Sequence, residues 1–102
     1  MTCMTEYDVP IPPGADLTAA VARIEACCLT AGLRLTQKGT LARYPGCVHW
    51  HFKQGGASGT LEITLWPATR RLWFALRPGR AAPWVTAIIP ELSATLIHSL
   101  AE

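Results

Sequence analysis

CVHWHFKQ (residues 47–54), GGASG (55–59) and TLEITLWP (60–67) follow one another without a break. Apolar residues take every second position, with Val48, Trp50 and Phe52 in the first run and Leu61, Ile63 and Leu65 in the second. Successive side chains of a strand point to opposite faces, so the alternation predicts two half-buried β-strands, and the glycines supply the turn between them. Pairing apolar with apolar across the loop fixes the register: Phe52 faces Leu61, His51 faces Glu62, Trp50 faces Ile63 and His49 faces Thr64. One face is core, with Trp50, Phe52, Ile63 and Leu65 buried. The other carries His49, His51 and Glu62.

Two further strands flank this hairpin, over residues 33–44 and 72–77, with turns at Pro45-Gly46 and at Ala68 to Arg71. Connections this short make an antiparallel meander. A short edge strand is expected over residues 7–11, with Val9 and Ile11 on one side, before Pro12, Pro13 and Gly14 stop it. Asp16 suits an N-cap, and Leu17, Val21, Ile24 and Cys28 recur at helical spacing until Gly32, which suits the left-handed position after a helix. A second helix begins at Pro83 and is striped by Trp84, Ile88, Leu92, Leu96 and Leu100, with Pro90 expected to kink or split it near Ile89. The expected fold is a single α+β domain over residues 1–102. It has a four- or five-stranded antiparallel sheet, two helices packed on one face, and the order β-α-β-β-β-β-α. That order resembles half of a TATA-binding-protein repeat, a likeness of element order alone that implies no function.

The outer face follows from the turns. A tight turn at Pro45-Gly46 sets Thr40 beside His51 and Ala42 beside His49, unless a bulge shifts that strand. A loop over Ala68 to Arg71 sets Trp66 opposite Trp73 and Glu62 opposite Arg77, with Phe74 on the core side. A tighter turn sets Arg71 opposite Trp66 instead. The first choice gives an ionisable row (His51, Glu62, Arg77) and an aromatic row (Tyr44, Cys47, Trp66, Trp73).

The chain has 102 residues, half of them apolar and only 16% charged, which excludes a disordered chain. Its longest apolar stretches are a few residues and Met1 to Pro13 has no basic start or apolar segment, so the expectation is a cytoplasmic protein with no membrane association. Cys27 and Cys28 are neighbours on a helix and Cys3 lies in a loose tail, so reduced thiols are expected, Cys28 packed and Cys27 partly exposed.

Charge carries the functional hint. Residues 34–80 hold eight basic side chains (Arg34, Lys38, Arg43, Lys53, Arg70, Arg71, Arg77, Arg80) against one acid, Glu62, while both flanks are acidic and the whole chain is only +2. The sheet is therefore expected to present the positive field. Trp66 and Trp73 on the outer face suggest either a homodimer interface or a platform on which bases stack while Lys38, Lys53, Arg71 and Arg77 meet phosphates. The expected function is a small non-catalytic binding module, homodimeric, engaging nucleic acid or another polyanion, or a small anionic ligand, with no cofactor.

The alternative is a metal-binding protein or small enzyme using His49, His51 and Glu62. Histidines at i and i+2 share a strand face, and Cys47 or Glu62 can add a third ligand. Against this stands a simpler arrangement in which His51 bonds Glu62, His49 is half-exposed, and Glu62 neutralises a positive sheet. No G-x-S-x-G elbow or phosphate-cradling glycine loop occurs. The Arg77-Pro78-Gly79-Arg80 turn reads as an ordinary strand-to-helix connection, with anion binding as its alternative.

Overall fold

The computed structural model describes residues 4–102, so Cys3 lies outside it. Five antiparallel strands form one sheet: β1 (Thr5–Asp8), β2 (Arg34–Gly39), β3 (Val48–Lys53), β4 (Leu61–Trp66) and β5 (Arg71–Leu76). Their order across the sheet is β1-β5-β4-β3-β2. Helix α1 (Leu17–Thr30) joins β1 to β2, and α2 (Pro83–Leu100) ends the chain. The class and element order match the sequence reading.

Helix α1 starts where the Asp16 carboxylate accepts the Thr18 and Ala19 N–H groups, and it ends where Gly32, at φ +86°, lets Leu33 N–H return to the Cys28 carbonyl. Both helices pack on the same sheet face. Ala20, Ile24 and Cys28 of α1 and Val85, Ile89, Leu92, Leu96 and Leu100 of α2 meet Trp50, Phe52, Leu61, Ile63, Leu65, Leu72 and Phe74 in one core. Each such large apolar side chain contributes about 1.5–3 kcal/mol on burial. Trp50 also keeps its polar edge satisfied, because its Nε1–H donates to Glu25 of α1 at 2.8 Å, and Lys38 pairs with the same carboxylate at 2.6 Å.

Four expectations need correction. Pro90 does not split α2, which runs unbroken from Pro83 to Leu100 with Pro90 on its exposed side; water can meet the Thr86 carbonyl that proline leaves without a donor. The edge strand is Thr5–Asp8 rather than 7–11, although Val9 and Ile11 do join the core. The β4–β5 hairpin takes the tighter turn, which pairs Trp66 with Arg71, Thr64 with Trp73 and Glu62 with Ala75. Closing it requires Arg70 in the left-handed region at φ 50°, the only described non-glycine residue with positive φ. Finally, β2 ends at Gly39. A bulge between Leu35 and Gln37 places Gln37 beside His51 and Gly39 beside His49, where Thr40 and Ala42 were expected.

Candidate functional site

Because β2 ends early, residues 40–47 leave the sheet and fold over its outer face. Turns close from Tyr44 N–H to the Leu41 carbonyl and from Cys47 N–H to the Tyr44 carbonyl, and Leu41 N–H donates to the buried Cys47 Sγ at 3.3 Å. Tyr44 then packs against Trp66 and Trp73, with ring centroids 4.9 and 5.1 Å away, and Trp66 Nε1–H donates to the Pro45 carbonyl. On its other side Trp73 lies under the Arg71 guanidinium at 4.1 Å. Trp73 is consequently only 2% exposed. The base-stacking platform and the homodimer interface were expected to use both tryptophans; the loop closes off Trp73 and leaves Trp66 half-buried.

Below this loop the outer face holds a second, polar core. Glu62 is 1% exposed, and Thr64, His49 and Ala75 are buried beside it. His49 was expected to be half-exposed; the loop and its neighbours on β4 bury it. The ionisable side chains converge as the β3–β4 register predicted, with His51 opposite Glu62 and His49 opposite Thr64. His49 Nδ1 lies 2.8 Å from Thr64 Oγ1, and His49 Nε2 lies 3.0 Å from His51 Nε2 and 3.3 Å from Glu62 Oε1. His51 Nε2 is 3.6 Å from the same carboxylate oxygen.

Glu62 is held from the opposite side by two cations. Arg77 Nε donates to Glu62 Oε1 at 3.0 Å and lies 2.9 Å from Oε2, and Arg80 Nη1 donates to Oε2 at 3.0 Å. Arg77 reaches Glu62 although Ala75 occupies the position directly opposite. Arg80 arrives through the short 3-10 turn Pro78–Arg80, whose carbonyl at Arg80 accepts the Thr60 N–H. Gly59 makes that approach possible: at φ +98°, a Cβ there would lie 2.5 Å from the Ala82 Cβ.

Burial by itself would raise the Glu62 pKa. Hydrogen bonds from His49 and Arg77, together with the Arg77 and His51 charges, outweigh it and hold the carboxyl at about 2. For His51 burial lowers the pKa, and the Glu62 charge only partly opposes this. Among the described residues no buried side-chain nitrogen or oxygen lacks a hydrogen-bond partner.

Two adjoining clefts open over the cluster and share Leu41, His49, Glu62 and Arg77 as walls. One, of about 230 Å³, runs under the loop toward Tyr44 and Trp73. The other, of about 410 Å³, is bordered by Gln37, His51, Gly79 and Arg80. Of the eight residues singled out in the sequence, His49, His51, Glu62 and Arg77 meet here, and Trp73 lines the far end of the first cleft. Arg71 is spent on Glu6 and Asp8 of β1, and Lys53 donates to the Gly59 carbonyl, outside the cleft.

The positive field is also redistributed: Lys38 turns to the helix side, and Arg70 ties down the Pro12 and Ala15 carbonyls. Arg80 and Thr64 are the members that the sequence reading did not place at the site. Arg80 stood in the turn already noted as able to hold an anion, and Thr64 was legible as the partner of His49. No family model, curated protein or solved structure matches the chain.

Proposed function

We propose that the protein is a small binding module whose ligand carries a compact anionic group, a carboxylate or phosphate, docked in the cleft at Arg77 and Arg80. The observation that carries this reading is a charge imbalance in one place: two guanidinium groups, with side chains 45% and 46% exposed, share a single buried carboxylate. Counting the histidines as neutral, the cluster is left with one positive charge at the floor of an open cleft. Each arginine binds Glu62 through only part of its fork, Arg77 through Nε and Arg80 through Nη1, and among the described residues no other acceptor engages the remaining N–H groups. Such planar donors suit carboxylate and phosphate oxygens, and Glu62 fixes their orientation in advance. A compact anion fits better than a nucleic-acid backbone, because the other cations of the basic block are dispersed to both faces and several edges of the sheet. The same account makes dimerisation unnecessary for binding.

Titration with inorganic phosphate and with citrate, in buffer containing a chelator and followed by NMR of the arginine side chains, tests the reading. Binding should shift Arg77 and Arg80 resonances and weaken as salt rises. Arg80→Ala should lower affinity roughly 10- to 100-fold, the worth of one charge-assisted hydrogen bond. Anion binding that leaves Arg77 and Arg80 unshifted, or no binding at low ionic strength, would remove this function.

A further inference from the structure

The three atoms His49 Nε2, His51 Nε2 and Glu62 Oε1 form a triangle with edges of 3.0, 3.3 and 3.6 Å. Ligands bound to zinc at about 2.0–2.1 Å in tetrahedral geometry are about 3.3 Å apart, so this triangle has the size of one face of a zinc coordination polyhedron. We propose that His49 Nε2, His51 Nε2 and Glu62 Oε1 bind one divalent transition metal, zinc by preference, with an open coordination position toward the Arg77 and Arg80 cleft. All three side chains lie on two neighbouring strands at fixed register, so the triangle is set by backbone pairing rather than by mobile loops.

Three features of the surroundings favour a metal over a set of hydrogen bonds alone. The first is the orientation of His49. His49 Nδ1 lies 2.8 Å from Thr64 Oγ1, so with a metal bound Nδ1–H would donate there and Nε2 would turn its lone pair to the centre of the triangle in place of the hydrogen bond it gives Glu62, the usual way in which an outer partner fixes a ligating imidazole. The second is convergence: two ring nitrogens and a carboxylate oxygen face one point, where a single cation serves all three lone pairs at once. The third is access. The trio is buried from below, with side chains 6%, 14% and 1% exposed, yet all three line the cleft bordered by Gly79 and Arg80, so a metal can enter and keep a fourth ligand.

Donor type selects the metal. Two imidazoles and one carboxylate suit zinc, and equally the open two-histidine, one-carboxylate sites of ferrous iron, while a set with a single carboxylate among the described residues disfavours calcium and magnesium. Arg77 and Arg80 repel a divalent ion. They also hold Glu62 in its ionised form, and an anion or hydroxide in the open position offsets the added charge. The site therefore has the composition of a reactive zinc centre, with three protein ligands and an anion-binding wall, rather than that of a closed structural one.

The metal proposal does not rest on the anion reading, and the two fail separately. Full-length protein is stripped with chelator and titrated with zinc chloride in phosphate-free buffer, and cobalt is added in a parallel sample to read coordination from its visible absorption. One equivalent of zinc and a four- or five-coordinate cobalt spectrum are expected. His51→Ala should reduce affinity by more than roughly 100-fold, and Thr64→Val, which removes only the orienting hydroxyl, by roughly 10- to 100-fold. If His51→Ala does not fold, the imidazole nitrogens of the unaltered chain decide: zinc should shift Nε2 of His49 and His51. Shifts confined to His98, affinity unchanged by Thr64→Val, or a folded chain that takes up no zinc would each overturn the proposal.

Discussion

The two faces of the sheet bury comparable side chains by opposite means. The inner face is covered by α1 and α2 and is apolar, so its stability comes from area removed from water. The outer face is covered by the 40–47 loop and the Pro78–Arg80 turn, and beside Trp73 and Ala75 it buries Glu62, Thr64 and His49. A buried carboxylate is strongly disfavoured unless paired, and here two arginines and His49 engage it, with His51 3.6 Å away. A polar core of this kind is a poor way to gain stability over hydrocarbon, which is why we read it as retained for binding.

The largest expected effect belongs to the inner face. Trp50→Ala removes a fully buried ring and its bond to Glu25, and should destabilise the protein by about 3–5 kcal/mol in urea unfolding. In a domain this small most of the folded population would be lost. Trp73→Ala separates the two descriptions of the outer face. If the loop covers Trp73 as described, the variant should lose about 3 kcal/mol, whereas on an open binding face the loss would stay near 0.5 kcal/mol or below.

Acid sharpens the contrast, because the outer face holds the one fully buried carboxylate among the described residues, while Glu25 on the helix side, whose pKa Lys38 also lowers, is partly exposed. The Glu62 pKa falls from an ordinary 4.5 to about 2 on folding, so its contribution is complete above about pH 4.5 and is lost as pH drops toward 2. The amount is on the order of 3 kcal/mol. His51 acts in the same direction and earlier: its folded pKa lies below 6.5, so the unfolded chain takes up a proton first and stability falls as pH drops below that value. Urea midpoints measured from pH 7 to 3 should therefore decline, and Glu62→Gln should flatten the lower part of the curve. A Glu62→Gln curve parallel to the original would show that another group governs acid stability.

The smallest effect concerns the cover itself. Tyr44→Ala deletes two aromatic contacts worth about 0.5–1.5 kcal/mol each, so a loss near 2 kcal/mol is expected. More telling is tryptophan emission, which should move to the red and quench more readily as Trp73 meets water. Unchanged emission would mean that something other than Tyr44 shields the ring.

By itself the sequence determined the inner face and the central hairpin. Alternation over residues 48–52 and 61–65 is a local, period-two signal, and matching apolar partners across a short loop leaves one register, which is why the placement of His49, His51 and Glu62 away from the helices was legible. Helix α1 was legible for a similar reason, since Asp16 and Gly32 act on backbone groups a few residues away. The tertiary structure decided the rest. The β4–β5 register depends on Arg70 taking a left-handed conformation that side-chain pattern does not encode, and a shift of two residues moved Trp73 from beside Trp66 to beside Thr64. The pairing of β2 with β3 depends on a bulge, and the path of residues 40–47 depends on what their side chains find on the far side of the sheet. Arg80 joined Glu62 only because the chain turns back past Gly59, a contact between segments about twenty residues apart whose signal lies in steric room rather than in residue type.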